Sequence, residues 1–382
     1  MKKVIVTAAA FMMVAGVASV ASATVDLSGN ARARMFYTDN IKISDDSESH
    51  YDSRVRVNVE AKSNGGAFAK ARIRMIDGAF GMDNDPRVQT GTDNSKENIY
   101  VDYAWVGVPL TSNLTLEAGY MVASWSHYFG WDARKDRVKL TYKASKSLVM
   151  GGYMDKISEN DANDFVGSTM VDDNDANLYA YFVKNTLANG TKVALLLNYV
   201  NSDVNDTDGF LGDLNVSTKV GDGTLYGEIG YKSSDSLNAL KNVTTVSDDQ
   251  IGVLVSWNGA MGSMKPTVMV GMAKDGFAAD PEDFGWFMIG NSASAIAAAK
   301  LNSVAGDETY FGAFSNTFKM SEKTSLTGNL VYVDAVNHLV EVSASYAYAV
   351  SDGATITMSA GYLDRENSSN ATAALVSLDI TY

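Results

Sequence analysis

The sequence predicts an all-β protein, a transmembrane antiparallel up-and-down β-barrel of 18 strands. Apolar and polar residues alternate with a period of two along nearly the whole chain, as in strands with one face in water. Tight turns alternate with long polar connections, and the first residues are typical of an export signal. Sixteen strands is the alternative, which applies if the weaker segments near 148–157 and 212–220 are irregular.

The N-terminus predicts a cleaved signal peptide over residues 1–23. Lys2 and Lys3 precede an apolar run that begins at Val4, and Ala21-Ser22-Ala23 fits a cleavage site. An N-terminal membrane anchor is the alternative, and the shortness of the apolar run argues against it. The barrel domain is then 24–382, with 382 − 23 = 359 residues.

Composition excludes several functions. The formal charge is −14, and removal of Lys2 and Lys3 makes it −14 − 2 = −16, which argues against a nucleic-acid partner. The chain has no cysteine, so it holds no thiolate zinc site. Acidic stretches such as "DDNDAND" lack calcium-loop spacing, and we expect no metal and no cofactor. No apolar stretch after the signal reaches the roughly 18 residues of a membrane helix, but barrel strands are much shorter.

The predicted strands follow one another from the signal peptide to the C-terminus. They lie near 25–38, 51–62, 66–77, 98–109, 114–124, 136–144, 148–157, 177–186, 191–202, 212–220, 224–233, 249–258, 266–274, 308–319, 324–334, 338–350, 354–364 and 372–382.

The connections between these strands alternate in length. "SNGG", "LTSN" and "LANG" are typical of tight hairpin turns, whereas "DGAFGMDNDPRVQTGTDNSKEN" and 275–307 are long. Short turns on one side and long loops on the other indicate an up-and-down barrel. Within 275–307, "SASAIAAAK" is compatible with a helical turn or two.

The two faces of the strands indicate which side meets water. In "VEVSASYAYAV", Val340, Val342 and Tyr346 share one face, and Glu341 and Ser343 share the other. Eighteen strands closed around the apolar face would leave a lumen too wide for side chains to fill. Closure around the polar face gives an aqueous lumen and an apolar exterior that requires lipid. Recurrent aromatic residues near strand ends fit interfacial girdles: Tyr37, Tyr51, Tyr120, Tyr199, Tyr231, Trp257, Phe318 and Tyr362.

The last strand, "ALVSLDITY", ends on an aromatic residue. With the signal, the barrel pattern, "VDLSGNARARMFYTDN" and "IYVDYAWVGVPLTSNLTLEAGYM", the chain resembles the Gram-negative outer-membrane general diffusion porins. The resemblance implies passive diffusion of small hydrophilic solutes and ions across the cell outer membrane, with no enzymatic activity. It also implies a homotrimer in contact with membrane lipid and lipopolysaccharide. The barrel-assembly machinery would recognise the terminal strand through Ala374, Val376, Leu378, Ile380 and Tyr382.

Paired arginines alternate with apolar residues on the first three strands, in "ARARM", "RVRVNV" and "ARIRM". If Val25, Val57 and Ile73 face lipid, the basic residues face the lumen and stack on strands about 4.8 Å apart. Lys143 and two other basic residues extend this wall on the sixth strand. We call the following set the basic ladder: Arg32, Arg34, Arg54, Arg56, Lys70, Arg72, Arg74, Arg137 and Lys139.

Two sets of carboxylates are candidates for the acidic side of the lumen. Alternation also places Glu60, Asp102 and Glu117 inside, where they either pair locally with the ladder or share a pore role with it. In porins of this kind the loop after the fifth strand folds inward, which would make Asp132 and Asp136 the opposing acids. That loop is short here and carries Arg134 and Lys135, so 158–176 and 275–307 are alternatives. An opposed pair of charged walls would orient dipolar solutes, and the sign of ion selectivity stays open.

Three alternatives to a diffusion porin remain. A substrate-specific channel of the same architecture is compatible with the aromatic "SWSHYFGW". A barrel hydrolase would need a histidine beside a nucleophile, and His50, His127 and His338 have no recognisable motif around them. A secreted β-rich adhesin would lack a pore.

Overall fold

A computed structural model describes most of residues 24–382. The described residues are 24–40, 47–79, 99–123, 125–126, 128–129, 133–158, 176–202, 207–241, 247–275, 277, 308–335, 338–366 and 369–382. The predicted signal peptide and the stretch "SASAIAAAK" lie outside them.

The described chain is built of eighteen strands and one short helix. The strands are β1 (Thr24–Asp39), β2 (Glu48–Lys62), β3 (Phe68–Ala79), β4 (Ile99–Pro109), β5 (Leu114–Ala123), β6 (Ala133–Lys143), β7 (Leu148–Ser158), β8 (Ala176–Thr186), β9 (Lys192–Ser202), β10 (Thr207–Val220), β11 (Gly223–Lys232), β12 (Gln250–Gly259), β13 (Met264–Lys274), β14 (Glu308–Lys319), β15 (Thr324–Asp334), β16 (Leu339–Ser351), β17 (Ala354–Arg365) and β18 (Ala371–Thr381).

Each strand pairs antiparallel with the next, and β1 pairs with β18, from Asn30 opposite Thr381 to Asp39 opposite Thr372. The sheet is therefore a closed barrel without free edges. Sixteen strands was the alternative if β7 and β10 were irregular. Each of these two strands pairs with a neighbouring strand on both sides. The predicted 18-stranded up-and-down barrel is confirmed. The prediction for β10 began five residues late, at 212 instead of Thr207.

The outer face carries the apolar half of the alternation. On β12, Ile251 and Val255 are exposed, whereas Gln250, Leu254 and Ser256, at the alternate positions, are buried inside. The same alternation places the predicted girdle aromatics outward, for example Tyr51, which is 52% exposed. Exposed apolar surface on every side of a closed barrel requires a hydrocarbon environment, and the closed ladder leaves no strand edge to be satisfied there.

The connections after β2, β4 and each later even-numbered strand up to β16 are short, and they lie at one end of the barrel. Gly66 and Gly190 have φ of 83° and 82° in two of these turns, a conformation that glycine adopts without the steric cost of a Cβ. The longer connections lie at the other end. After β11 the chain forms helix α1 (Ser234–Lys241), which the sequence analysis missed. Among the described residues, no helix is long and apolar enough to cross a membrane.

Helix α1 lies against the inner wall. Ser236 and Leu237 are buried, and a Cβ on Gly209 of β10 would come within 2.1 Å of the Ser236 backbone nitrogen. Glycine at 209 therefore lets the helix approach the strand closely. Ser233 begins the turn, its hydroxyl oxygen accepting the backbone N–H of Ser236 at 3.2 Å.

Candidate functional site

The basic ladder lies on the lumen side of β1, β2, β3 and β6. Arg32 lies opposite Arg54, and Arg56 lies opposite Arg74, so guanidinium groups occupy adjacent rungs of neighbouring strands. Arg72 lies opposite Asn58, whose side-chain oxygen accepts its Nε–H at 2.9 Å. Like charges at this spacing repel one another, and the acids between them reduce that repulsion.

Asp102 lies at the centre of a cluster of three arginines. Its carboxylate lies 3.3 Å from Arg72 Nη1, 3.0 Å from Arg74 Nη2 and 3.2 Å from Arg134 Nε, and its side chain is 4% exposed. Arg134 was one of two basic residues that argued against an inward, acidic loop after β5. Its contact with Asp102 places it beside the basic wall. One carboxylate thus holds three guanidinium groups together on this wall.

A β-bulge turns Asp102 inward. Arg72 of β3 lies opposite Tyr103, but the next residue, Ile73, lies opposite Val101, so Asp102 is the extra residue. Asp102 and Tyr103 are both buried, whereas Val106 and Val108 on the same strand face outward. Strict alternation groups Asp102 with Val106 and Val108, on the lipid side. The sequence analysis therefore placed this residue correctly for a wrong reason.

The other luminal acids also pair with the ladder. Glu60 lies 3.0 Å from Lys70 Nζ, and Glu117 lies 3.1 Å from Lys139 Nζ. The local pairing that the sequence analysis considered is therefore present at Glu60, Asp102 and Glu117. Lys143, at the short-turn end of β6, is exposed.

Two further acids were missed by the sequence analysis. Asp52 accepts the Nε–H of Arg34 at 2.8 Å, and Asp155 accepts the Nη2–H of Arg137 at 2.6 Å. Both acids are buried, and the Arg137 guanidinium lies 3.9 Å from the centre of the Tyr153 ring. The available signal was alternation, since Asp52 shares the inward face with Arg54, and Asp155 shares it with Tyr153.

The expectation for Asp136 is corrected. It was expected in an inward loop, but β6 begins at Ala133, so Asp136 is a strand residue. It is exposed on the same face as Val138 and Leu140, because alternation from inward Arg137 points it out of the barrel. Asp132 lies outside the described residues.

The connection after β5 folds into the lumen. We call its described residues, Trp125, Ser126, Tyr128 and Phe129, the luminal strap. Trp125 packs on Phe182 of β8, with ring centres 5.7 Å apart, and Lys184 Nζ lies 4.3 Å from the indole. Tyr128 meets Tyr226 of β11 edge-on at 5.7 Å. The loop that the resemblance indicated therefore does project inward, and it reaches strands on the far side of the barrel.

Glu228 of β11 fixes the far end of the strap. Its Oε1 accepts the backbone N–H of Phe129 at 2.8 Å, and its Oε2 accepts the Tyr226 hydroxyl at 2.6 Å. The Ser126 hydroxyl oxygen also accepts the Phe129 N–H, at 3.2 Å. Glu228 is 1% exposed, so this carboxylate is buried and satisfied by the strap.

A second inward contact comes from the connection after β13. Phe277 meets Phe129 edge-on at 4.8 Å, and Lys232 Nζ lies 4.4 Å from its ring centre. A Cβ on Gly230 or Gly252 would come within 2.6 or 2.4 Å of the Phe277 ring. Glycine at these two wall positions is what allows the ring to lie against the strands.

The rest of the inner wall is uncharged over long stretches. An apolar cluster, which the strap residues Tyr128 and Phe129 join, runs along β11 to β18: Tyr226, Leu254, Met269, Phe311, Ala313, Val331, Val333, Leu339, Leu363, Ala371 and Ala373. Nearer the short turns, hydroxyls and amides pair across strands, as in Ser315 to Asn329 at 2.7 Å and Ser345 to Ser359 at 2.8 Å. The lumen is therefore strongly asymmetric, with its basic wall on β1 to β6.

His338 is the one histidine whose side-chain contacts are described. Its Nδ1 lies 2.9 Å from Asp334 Oδ1, and its backbone N–H donates to Glu366 at 3.2 Å. Among the described residues, no serine hydroxyl contacts its ring. This arrangement joins two connections at the long-loop end of the barrel.

Comparisons with known proteins identify the fold and nothing finer. No protein-family profile and no curated protein matches the sequence. Among solved structures, OccK1 (OpdK) of Pseudomonas aeruginosa superimposes with a TM-score of 0.62 at 11% identity, over 94% of this chain and 98% of that one. OccAB1 of Acinetobacter baumannii gives 0.60 at 12% identity, over 94% and 96%. A BenF-like porin of Pseudomonas fluorescens Pf-5 gives 0.60 at 12%, over 94% and 99%.

The chain therefore has the fold of the outer-membrane porin barrels, a class defined by a closed sheet with an apolar exterior and a polar lumen. Within that fold, this barrel combines a basic ladder on one wall with an aromatic strap that crosses to the opposite wall.

Proposed function

We propose that this protein is an outer-membrane porin that lets small hydrophilic solutes and ions diffuse passively through its lumen. The observation that carries the proposal is the luminal strap between β5 and β6, which narrows an eighteen-stranded barrel whose opposite wall bears the basic ladder. A narrowing lined by fixed charge is what makes a wide barrel selective for solute size and charge.

The ladder supplies the charged wall of this channel. Its members and their neighbour Arg134 place ten basic side chains on one wall of a protein whose formal charge is −14. Among the described residues, Asp52, Glu60, Asp102, Glu117 and Asp155 pair with some of them. Anions are favoured at this wall, and the acidic remainder of the protein moderates the preference.

The resemblance to general diffusion porins supplies the partners. The apolar exterior would contact membrane lipid and, at the long-loop end, lipopolysaccharide. Ala374, Val376, Leu378, Ile380 and Tyr382 form the outward face of β18, as a signal to the barrel-assembly machinery requires. A homotrimer is the expected assembly, and residues 1–23 the expected export signal. No catalytic activity is assigned to the protein.

A substrate-specific channel is the second candidate. One structure of similar fold, OpdK, is known in complex with vanillate, an aromatic carboxylate. A basic ladder facing the aromatic side chains Trp125 and Tyr128 offers complementary chemistry for such a solute. The strap thus supports either form of the channel.

Conductance in planar bilayers tests the proposal. Purified, heat-modifiable protein should insert in discrete steps of equal conductance in KCl. Folded protein that gives no steps would contradict the porin and favour a non-porous surface protein. The two candidates differ in saturation: current carried by one solute class, such as benzoate, would saturate in a specific channel and rise linearly with concentration in a diffusion porin.

A further inference from the structure

The outer face of the barrel contains an open groove on β8 to β11, toward the long-loop end. Its volume is about 430 Å³, within the range of small-molecule sites. The groove opens on the apolar exterior, far from the basic ladder and the strap. Its floor is formed by Leu197 and Gly212, which are paired residues of β9 and β10.

Gly212 creates the groove. It occupies an outward position between Phe210 and Leu214, which are 62% and 39% exposed. Any larger residue at this position would fill the gap, because a Cβ there meets its nearest atom, Leu197 Cδ2, only at 3.7 Å. The missing side chain leaves a depression in an otherwise continuous apolar belt.

Aromatic rings form the walls of the groove and are held in place. Tyr179 stacks with Tyr199 at 6.5 Å, and Tyr199 meets Phe210 at 5.3 Å, on the side of the long loops. Tyr181 and Tyr231 stand on either side of the floor. These rings stand above the strands on several sides, so the depression has walls that ordinary lipid-facing Val and Leu positions lack.

Hydrogen bonds at the rim fix two of the tyrosines. The Tyr199 hydroxyl donates to Asp208 at 2.6 Å, and Asn201 donates to the same carboxylate at 2.8 Å. The Tyr231 hydroxyl donates to Asp249 at 2.6 Å. The hydroxyl of Tyr231 and the backbone N–H of Ser234 hold the pKa of Asp249 below its usual range, so this acceptor stays ionised at neutral pH. A preorganised wall loses little side-chain entropy when a ligand enters.

We propose that this groove is a binding site for one acyl chain of a membrane lipid. The groove is continuous with the lipid-facing exterior, and its lining is almost wholly apolar, with the hydroxyls of Tyr199 and Tyr231 turned to the rim carboxylates. A flexible hydrocarbon chain matches both its shape and its chemistry, and close packing against fixed aromatic rings favours the chain in the groove over the fluid bilayer around it. The bound lipid exchanges more slowly than its neighbours around the barrel.

Native mass spectrometry of the whole barrel tests this site. The protein is taken from nanodiscs of palmitoyl-oleoyl phosphatidylethanolamine and lipopolysaccharide into mild detergent, and the lipids that stay bound are identified by mass and counted. Wild type should keep one lipid that Gly212→Leu, which fills the groove, loses. Gly227→Leu is the matched control: Gly227 also lies outward on a strand, with its nearest contact at 3.9 Å, and its outward neighbours Leu225, Ile229 and Val255 are aliphatic. It should keep the wild-type number.

Other results would overturn the site. Equal lipid counts in wild type and Gly212→Leu would show that the groove holds no lipid. An oligomer that Gly212→Leu dissociates, with its lipid count unchanged, would show that a second copy occupies the groove. Tyr181→Ala removes one wall without filling the floor and should also lose the lipid, which covers the case of a misfolded Gly212→Leu. Bilayer conductance is a separate measurement. Its absence in wild type would contradict the porin proposal, but the lipid count would still test the groove.

Discussion

The backbone N–H of Phe129 donates to Oε1 of Glu228 at 2.8 Å, across 99 residues of sequence. This bond joins the connection after β5 to the wall at β11, and it places an aromatic segment inside the barrel. The Tyr226 hydroxyl donates to the other carboxylate oxygen of Glu228. The position of the strap, and with it the width of the lumen, therefore depends on one buried side chain.

Replacement of Glu228 by alanine should loosen the strap. The Phe129 N–H and the Tyr226 hydroxyl would both lose their acceptor, at a cost of about 1–3 kcal/mol. That cost shifts the ratio of docked to undocked strap by about 5- to 150-fold. Single-channel recordings should show higher conductance and more current noise than wild type.

The control for Glu228→Ala separates strap position from charge. Glu60→Gln removes the same charge from the lumen without touching the strap, and it should alter ion preference without adding noise. Glu228→Gln keeps an oxygen that can accept the Phe129 N–H and should lie between wild type and alanine. Quiet, wild-type conductance in Glu228→Ala would mean that the strap holds its position without this bond.

Asp102 should control ion preference more than any other luminal acid, because it neutralises a cluster of three arginines. Asp102→Asn removes the charge and keeps the shape, so the reversal potential in a KCl gradient should move toward that of chloride. Arg74→Gln should move it the opposite way. A shift of the same sign in both variants would contradict a role for the cluster in charge selection.

Arg137 and Asp155 form a buried ion pair whose two side chains are 4% and 5% exposed. Removal of one partner, as in Asp155→Leu, leaves an uncompensated charge and should lower the free energy of unfolding by about 3–5 kcal/mol. The double variant Arg137→Leu with Asp155→Leu should recover most of that loss. Urea unfolding in lipid vesicles measures the free energy of unfolding of the wild type, the single variant and the double variant. Equal losses for the single and double variants would show that the pair is not coupled.

Met358 and Thr357 are neighbours on β17 that face opposite sides of the barrel wall. Met358 is 48% exposed on the outer face, so Met358→Arg should cost about 2–4 kcal/mol of unfolding free energy in bilayers. Thr357→Arg points into the aqueous lumen and should cost much less. A larger penalty at Thr357 would mean that the two faces are assigned the wrong way round.

The sequence by itself determined the barrel. A strand has a side-chain period of two, so "RVRVNV" assigns Arg54 and Arg56 to one face and Val55 and Val57 to the other without any tertiary information. Eighteen such segments with alternating connections admit few closed arrangements. The fold class and the side of the ladder followed from this local rule, whereas the choice between sixteen and eighteen strands needed the pairing of β7 and β10.

Alternation failed where the backbone departs from it. The bulge at β4 turns Asp102 inward, and the early start of β6 makes Asp136 a strand residue that points outward. A bulge adds one residue to one strand only, and strand ends depend on pairing with neighbours, so neither is encoded in the pattern of a single segment.

Only the tertiary structure decided what crosses the lumen. Phe129 and Glu228 meet because the closed sheet brings β11 within reach of the loop after β5. The aromatic groove likewise needs side chains from four strands around Gly212. Local sequence determines which face a side chain occupies, whereas contacts between distant segments depend on closure of the whole barrel, which no short segment contains.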